Sequence, residues 1–142
     1  MNLPPNVAPA AAGIADVLVR GGETGWITAD PDGLAELKPL WANGASGEYA
    51  MLLRWKQGFT APPHKHLGAV HVYVIAGSLR VRDCVLNAGD YIYEPNGIIH
   101  DETVALTDCV HINIANGPIV FFDATGIKRY VSWEQIDALL RR

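Results

Sequence analysis

The run Pro62-Pro63-His64-Lys65-His66 restricts what this chain can become more than any other segment. Two prolines fix φ and push the residue before each toward extended geometry, so the backbone enters the histidines as a strand. Side chains alternate along a strand, which puts His64 and His66 on one face and Lys65 on the other. Further on, Gly89-Asp90-Tyr91-Ile92-Tyr93-Glu94-Pro95-Asn96-Gly97 reads as a strand running into a tight Asn-Gly turn, after which Ile98-Ile99-His100 starts the next strand. A neighbouring strand can thereby deliver His100 to the pair. Three neutral imidazoles from two strands supply three ligands to a divalent first-row metal and leave coordination positions open, as in a catalytic site. A lone histidine on a β face is usually a half-buried polar side chain. Here four of the five histidines fall between Gly58 and His100, and that concentration, with the spacing, makes His64, His66 and His100 candidate metal ligands.

Turn signals recur around this stretch at Gly77-Ser78, Asn87-Ala88-Gly89-Asp90, Asn96-Gly97 and Asn116-Gly117. Between them, residues 71–75, 79–82, 91–93, 110–115 and 119–122 read as short strands. Upstream, residues 26–28 and 48–55 read the same way, while 34–41 fits helix or strand, with Pro39 favouring an edge strand. Many short strands predict an all-β sandwich or barrel; a jelly roll, which leaves a cavity between its sheets, fits best. One short C-terminal helix is expected, with Ser132 as cap, Gln135 as capping-box partner, and Trp133, Ile136, Leu139 and Leu140 on one face. A length of 142 residues, 49% hydrophobic, suits a single domain over 16–142. Residues 1–15 read as an N-terminal arm, either loose or lying across a neighbouring subunit, and 10–19 offer a short helix.

The histidine patterns resemble those of the cupin superfamily. Gly58, His64 and His66 match its first motif, with His71 standing where that motif carries glutamate and Gly77 one residue early. Gly89, Pro95, Gly97 and His100 match the second, with Val104 in place of asparagine. Within the superfamily the chain is most similar to small three-histidine dioxygenases, the acetylacetone-cleaving enzyme and 2,4'-dihydroxyacetophenone dioxygenase. The resemblance spans about residues 35–125 and rests on His-x-His-x-Gly-x-Val-His and Tyr-Glu-Pro-x-Gly-x-x-His. It implies a cupin jelly-roll barrel, Fe(II), and oxidative C–C cleavage of a small oxo compound. A homodimer is expected by the same analogy.

Neutral ligands leave the full +2 charge on the metal, which favours an anionic chelate such as the enolate of a 1,3-diketone or 2-hydroxy ketone; the resemblance implies dioxygen as second substrate. Zinc or nickel can compete with iron at a nitrogen site. The phase of His71 matches Tyr73 and Ile75, so that all three are expected to face the cavity. His71 is then a distant fourth ligand, a substrate-bonding group, or a polar filler. Glu94 has the spacing at which the resembling enzymes carry a glutamate beside a ligand imidazole, and either fixes that imidazole or forms a salt bridge at the rim. His111 lies outside both motifs and reads as filler. Tyr73, Tyr91, Tyr93, Phe121 and Trp41 are candidate pocket aromatics, or plain core. Two further classes compete with the dioxygenase: a metal- or ligand-sensing cupin like the cupin domains of anti-sigma factors, and a cupin isomerase or hydrolase.

A net charge of −4 without a basic cluster argues against nucleic acid and anionic membrane surfaces as partners. No apolar run approaches the roughly 20 residues of a membrane span. The first residues lack the charged and apolar regions of a signal peptide, so a cytoplasmic protein is expected, with Cys84 and Cys109 as buried, reduced thiols.

Overall fold

Alternating burial organises the chain. A computed structural model describes residues 16–141, and its strands run in the order β1 Ile27–Thr28, β2 Ala35–Ala42, β3 Tyr49–Trp55, β4 Thr60–Ala61 and β5 His64–His66. There follow β6 Val70–Ala76, β7 Ser78–Val81, β8 Cys84–Asn87, β9 Tyr91–Glu94 and β10 Ile99–His100. Last come β11 Thr103–Ala105, β12 Cys109–Ala115, β13 Ile119–Asp123, β14 Gly126–Val131 and the helix α1 Trp133–Leu140. The expected arm, and most of the short helix expected over 10–19, lie outside the described residues; 16–19 carry no helix.

The strands form a six-stranded sheet ordered β1-β2-β3-β12-β6-β9 and two four-stranded sheets, β10-β5-β13-β14 and β4-β11-β7-β8. This is the all-β jelly roll expected from the turn spacing. In β3, Tyr49, Met51, Leu53 and Trp55 point inward; in β6, Val70, Val72 and Val74 do; in β7, Leu79 and Val81 do. These residues form the core between the layers.

The ambiguous segment is β2, a strand between β1 and β3. β1 reaches only Glu36 and Leu37, so Pro39 falls where that side of β2 is unpaired, at a register shift against β3. Its missing N–H is tolerated at such an open, irregular position. α1 has the expected capping box, with Ser132 accepting from the Glu134 N–H and Gln135 accepting from the Ser132 N–H. It lies mainly against β2, and Ile136 is its buried anchor. No helix among the described residues is long and apolar enough to cross a membrane.

One glycine is obligatory for the β6–β7 connection. Gly77 has φ 79°, and a Cβ there would meet the Asp108 carbonyl at 2.0 Å. The cysteines depart from expectation. Both are free, but only Cys109 is buried; Cys84 opens β8 at the surface. Burial pushes the Cys109 thiol up to about 11, which makes it a poor nucleophile.

Candidate metal centre

β5 places His64 and His66 on one buried face, with Lys65 exposed between them. β10 runs antiparallel to it, with His100 directly opposite His64. The turn before β10 holds that register. Gly97 N–H donates to the His66 carbonyl at 2.7 Å, and His66 N–H donates to the Ile98 carbonyl at 3.0 Å. Ile98 N–H closes the turn on the Pro95 carbonyl at 3.2 Å. Of the central pair only Gly97 has positive φ, 89°, as a type II turn requires.

The three rings stand nearly equidistant, with centroids 5.1 to 5.2 Å apart. One ligating atom from each lies within 4.8 Å of the others. His64 Nδ1 is 2.9 Å from the Pro62 carbonyl. A carbonyl only accepts, so Nδ1 carries the proton and Nε2 keeps its lone pair. His66 Nδ1 and both ring nitrogens of His100 are buried without a hydrogen-bond partner. Leaving such groups unpaired costs on the order of 1–3 kcal/mol each, which a ligand can offset. Burial lowers the pKa of His64 and takes that of His66 down to about 4. These imidazoles therefore stay neutral, able to ligate, across the physiological range. Donor type, burial and convergence all fit a divalent metal ion.

Glu94, at the end of β9, is also buried, and its Oε2 lies 2.5 Å from His100 Nε2. The pair is an ion-pair contact and not a hydrogen bond. Its effect is electrostatic: the carboxylate works against desolvation at His64, His66 and His111, favouring positive charge there. At 8% exposure Glu94 makes this contact inside the protein and not at an open rim.

His71 does not join the cluster. In β6 the three valines take the inner phase, leaving His71, Tyr73 and Ile75 on the outer face. His71 Nδ1 lies 2.6 Å from the Tyr91 hydroxyl, and its ring packs on Tyr91 and Tyr93. The expected inward phase is corrected for a physical reason. Both phases of this segment are apolar enough to be buried, and the compact branched valines fill the core without a polar atom to satisfy.

The cluster opens into a cavity of about 120 Å³. An engineered apolar cavity of about 150 Å³ holds benzene, so a ligand of that order fits. Met51, Leu53, Trp55, Val72 and Phe121 provide apolar wall, and Thr103, His111, Asn113 and Arg129 provide polar atoms. Of the candidate pocket aromatics only Phe121 lies on the wall; Tyr73, Tyr91 and Tyr93 are exposed on the outer face and Trp41 is half-buried away from it. His111, read as filler, lies on the cavity wall. It is buried on the wall with its ring edge-on to Trp55, centroids 4.6 Å apart, and burial lowers its pKa to about 4. Its place was readable from β12, where it alternates with Asn113; Arg129 was not, because β14 lies in the stretch 126–131 that carries no strong apolar alternation.

A jelly roll with three converging buried imidazoles, two of them on the wall of a largely apolar cavity, is a metal-binding cupin. More narrowly, the chain belongs to the ChrR cupin-like domain family, whose profile matches residues 15–120. No curated protein matches the sequence. Among solved structures, an RmlC-like cupin protein from Ralstonia eutropha is 28% identical, with a TM-score of 0.80 over 90% of this chain and 87% of that one. An acetylacetone dioxygenase from Acinetobacter johnsonii is 16% identical, with a TM-score of 0.77 over 99% of this chain and 98% of the other. The anti-sigma protein ChrR of Rhodobacter sphaeroides, in complex with SigE, is 24% identical, with a TM-score of 0.58 over 68% of this chain and 51% of that one. The last two likenesses are likenesses of fold.

Proposed function

We propose that the protein is an Fe(II)-dependent dioxygenase that cleaves a C–C bond in a small chelating oxo compound, a 1,3-diketone or 2-hydroxy ketone. The observation that supports this most is the set of three buried, converging imidazoles beside a largely apolar cavity. An ion held there supplies Lewis acidity toward two substrate oxygens and redox chemistry toward dioxygen. His64, His66 and His100 hold it without cancelling its charge. Glu94 takes the proton that the substrate loses on becoming an enolate, and the apolar wall keeps water from competing. The resemblance in fold to an acetylacetone dioxygenase points the same way.

The test is anaerobic reconstitution with Fe(II), then oxygen uptake on adding acetylacetone, dihydroxyacetophenone and related chelates. We expect uptake of about one dioxygen per substrate consumed; no uptake with any of them removes the proposal. Turnover without oxygen would indicate the isomerase or hydrolase use of the cavity. The family match and the likeness to ChrR favour one other reading, a sensor that binds zinc tightly and turns nothing over. Oxygen uptake separates the two.

The chain is also proposed to pair with a second copy through the outer face of the six-stranded sheet. Exposed Tyr73, Ile75, Tyr91, Tyr93 and Ile114 stand together there, with Tyr73 paired to Tyr91 and to Ile112 across neighbouring strands. A contiguous aromatic face of this kind is where monomers associate. Sedimentation is expected to show a dimer for the native chain and a monomer for Tyr73→Glu/Tyr91→Glu; a double variant that remains dimeric refutes the location.

A further inference from the structure

Four side chains lie in one register row across the sheet β10-β5-β13-β14: His100 opposite His64, His64 opposite Phe121, and Phe121 opposite Arg129. Residues directly paired across a sheet share a face, so this row runs from the metal ligands to Arg129 on the cavity side. A register shift between Phe121 and Phe122 makes room for an extra residue in β14, and beyond it Arg129 and Val131 both line the cavity. Bulges of this sort re-aim side chains beside sites. The Arg129 guanidinium carbon sits 4.1 Å from the Phe121 ring centroid, and the Phe121 ring in turn packs on His64 with centroids 5.4 Å apart.

Charge makes this placement informative. Arg129 and Glu94 are the charged residues of the cavity wall. Glu94 is engaged at His100, and among the described residues no carboxylate lies within ion-pair distance of Arg129. Arg129 is exposed as a residue, and its guanidinium packs over the Phe121 ring on the cavity wall. A cation aimed at a site built for a dication is repelled unless an anion stands between them. Arg129 stands two strand spacings from His64, roughly 10 Å between backbones, with its side chain leaning across Phe121 into that gap.

We propose that Arg129 is a specificity residue and that the substrate carries a carboxylate beyond its chelating oxygens, paired with the guanidinium at the cavity mouth. The inference rests on the reading of the triad as a chelation site and narrows the substrate class to oxo acids whose carboxylate is separated from the chelating group by a short carbon arm. A guanidinium is suited to this because its fork takes both carboxylate oxygens.

The test compares two ligands with the same chelating head. Succinylacetone is a 1,3-diketone ending in a carboxylate; butyrylacetone has a methyl group in its place. Binding to the zinc-loaded protein is measured by calorimetry. The native protein is expected to prefer succinylacetone roughly tenfold, the worth of one charge-assisted pair. In Arg129→Gln the two affinities should come within about twofold of each other, and Arg129→Lys should keep part of the preference. The ratio within each variant is its own control for folding. Equal affinities in the native protein, or an undiminished preference in Arg129→Gln, overturn the assignment. Oxygen uptake by the Fe(II)-loaded protein is followed with both ligands. Preference without uptake overturns only the dioxygenase reading, and uptake without preference overturns only the role of Arg129.

Discussion

His64→Ala, His66→Ala and His100→Ala should each strip the protein of its metal on dialysis, whereas His71→Ala should retain the native stoichiometry. Metal content by elemental analysis distinguishes them. The three candidate ligands are imidazole nitrogens with no protein carboxylate among them, so each is expected to carry about a third of the binding, and two imidazoles on a short strand pair would give an ion little to hold it. Removing a residue that only orients a ligand costs 10–100-fold in affinity; removing a ligand itself is expected to cost on the order of a thousandfold or more. Because the donors converge from β5 and β10, the loss should be the same whichever strand is altered. Glu94→Gln belongs between the extremes. It removes the negative potential that favours a cation at the cluster while leaving every donor in place, so it should weaken metal retention and abolish most turnover. Full metal in His100→Ala, or metal loss in His71→Ala, would mean that the ion is held elsewhere.

The contrast between His64 and His71 shows what the sequence does and does not reveal. Pro62-Pro63 forces the backbone straight, and two histidines one residue apart then have no choice but to share a face, so their convergence with His100 after the Gly97 turn was legible. β6 gives no such constraint. Val70, Val72 and Val74 compete for the inside with His71, Tyr73 and Ile75, and only packing decides. The same holds for β9, where Tyr91 and Tyr93 look like pocket residues until their pairing with Tyr73 and His71 puts them outside. Strands β8, β11 and β14 escaped the sequence reading because they are short or carry charge on both faces. Since β14 brings Arg129 to the cavity, one of the two charged residues of the cavity wall lay in the least readable part of the fold.

Acid should weaken the metal-free fold, and His111 should account for a definite share. Its ring is 2% exposed, its Nδ1 has no partner, and burial holds its pKa at about 4 against 6.5 for a free imidazole. Below pH 6.5 the unfolded chain takes up a proton that the folded chain refuses. Stability attached to this group is thus complete above about 6.5, falls as the pH drops toward about 4, and then levels off. Across that window one such histidine contributes roughly 3 kcal/mol of destabilisation. His66, also held at about 4 by burial, acts in the same direction. Urea midpoints of the metal-free protein between about pH 7 and pH 4 measure the slope, and His111→Leu should flatten it by close to one proton, roughly 1.4 kcal/mol per pH unit. The slope is independent of whatever the substitution does to stability at neutral pH through the lost contact with Trp55. An unchanged slope in His111→Leu would mean that the buried ring is already protonated in the native state. In the metal-loaded protein the fall should begin in the same range but be steeper and continue to lower pH, because a bound ion keeps protons off His64, His66 and His100 while the unfolded chain still takes them up. The two titrations together therefore separate the imidazoles that hold the metal from the one that only lines the wall.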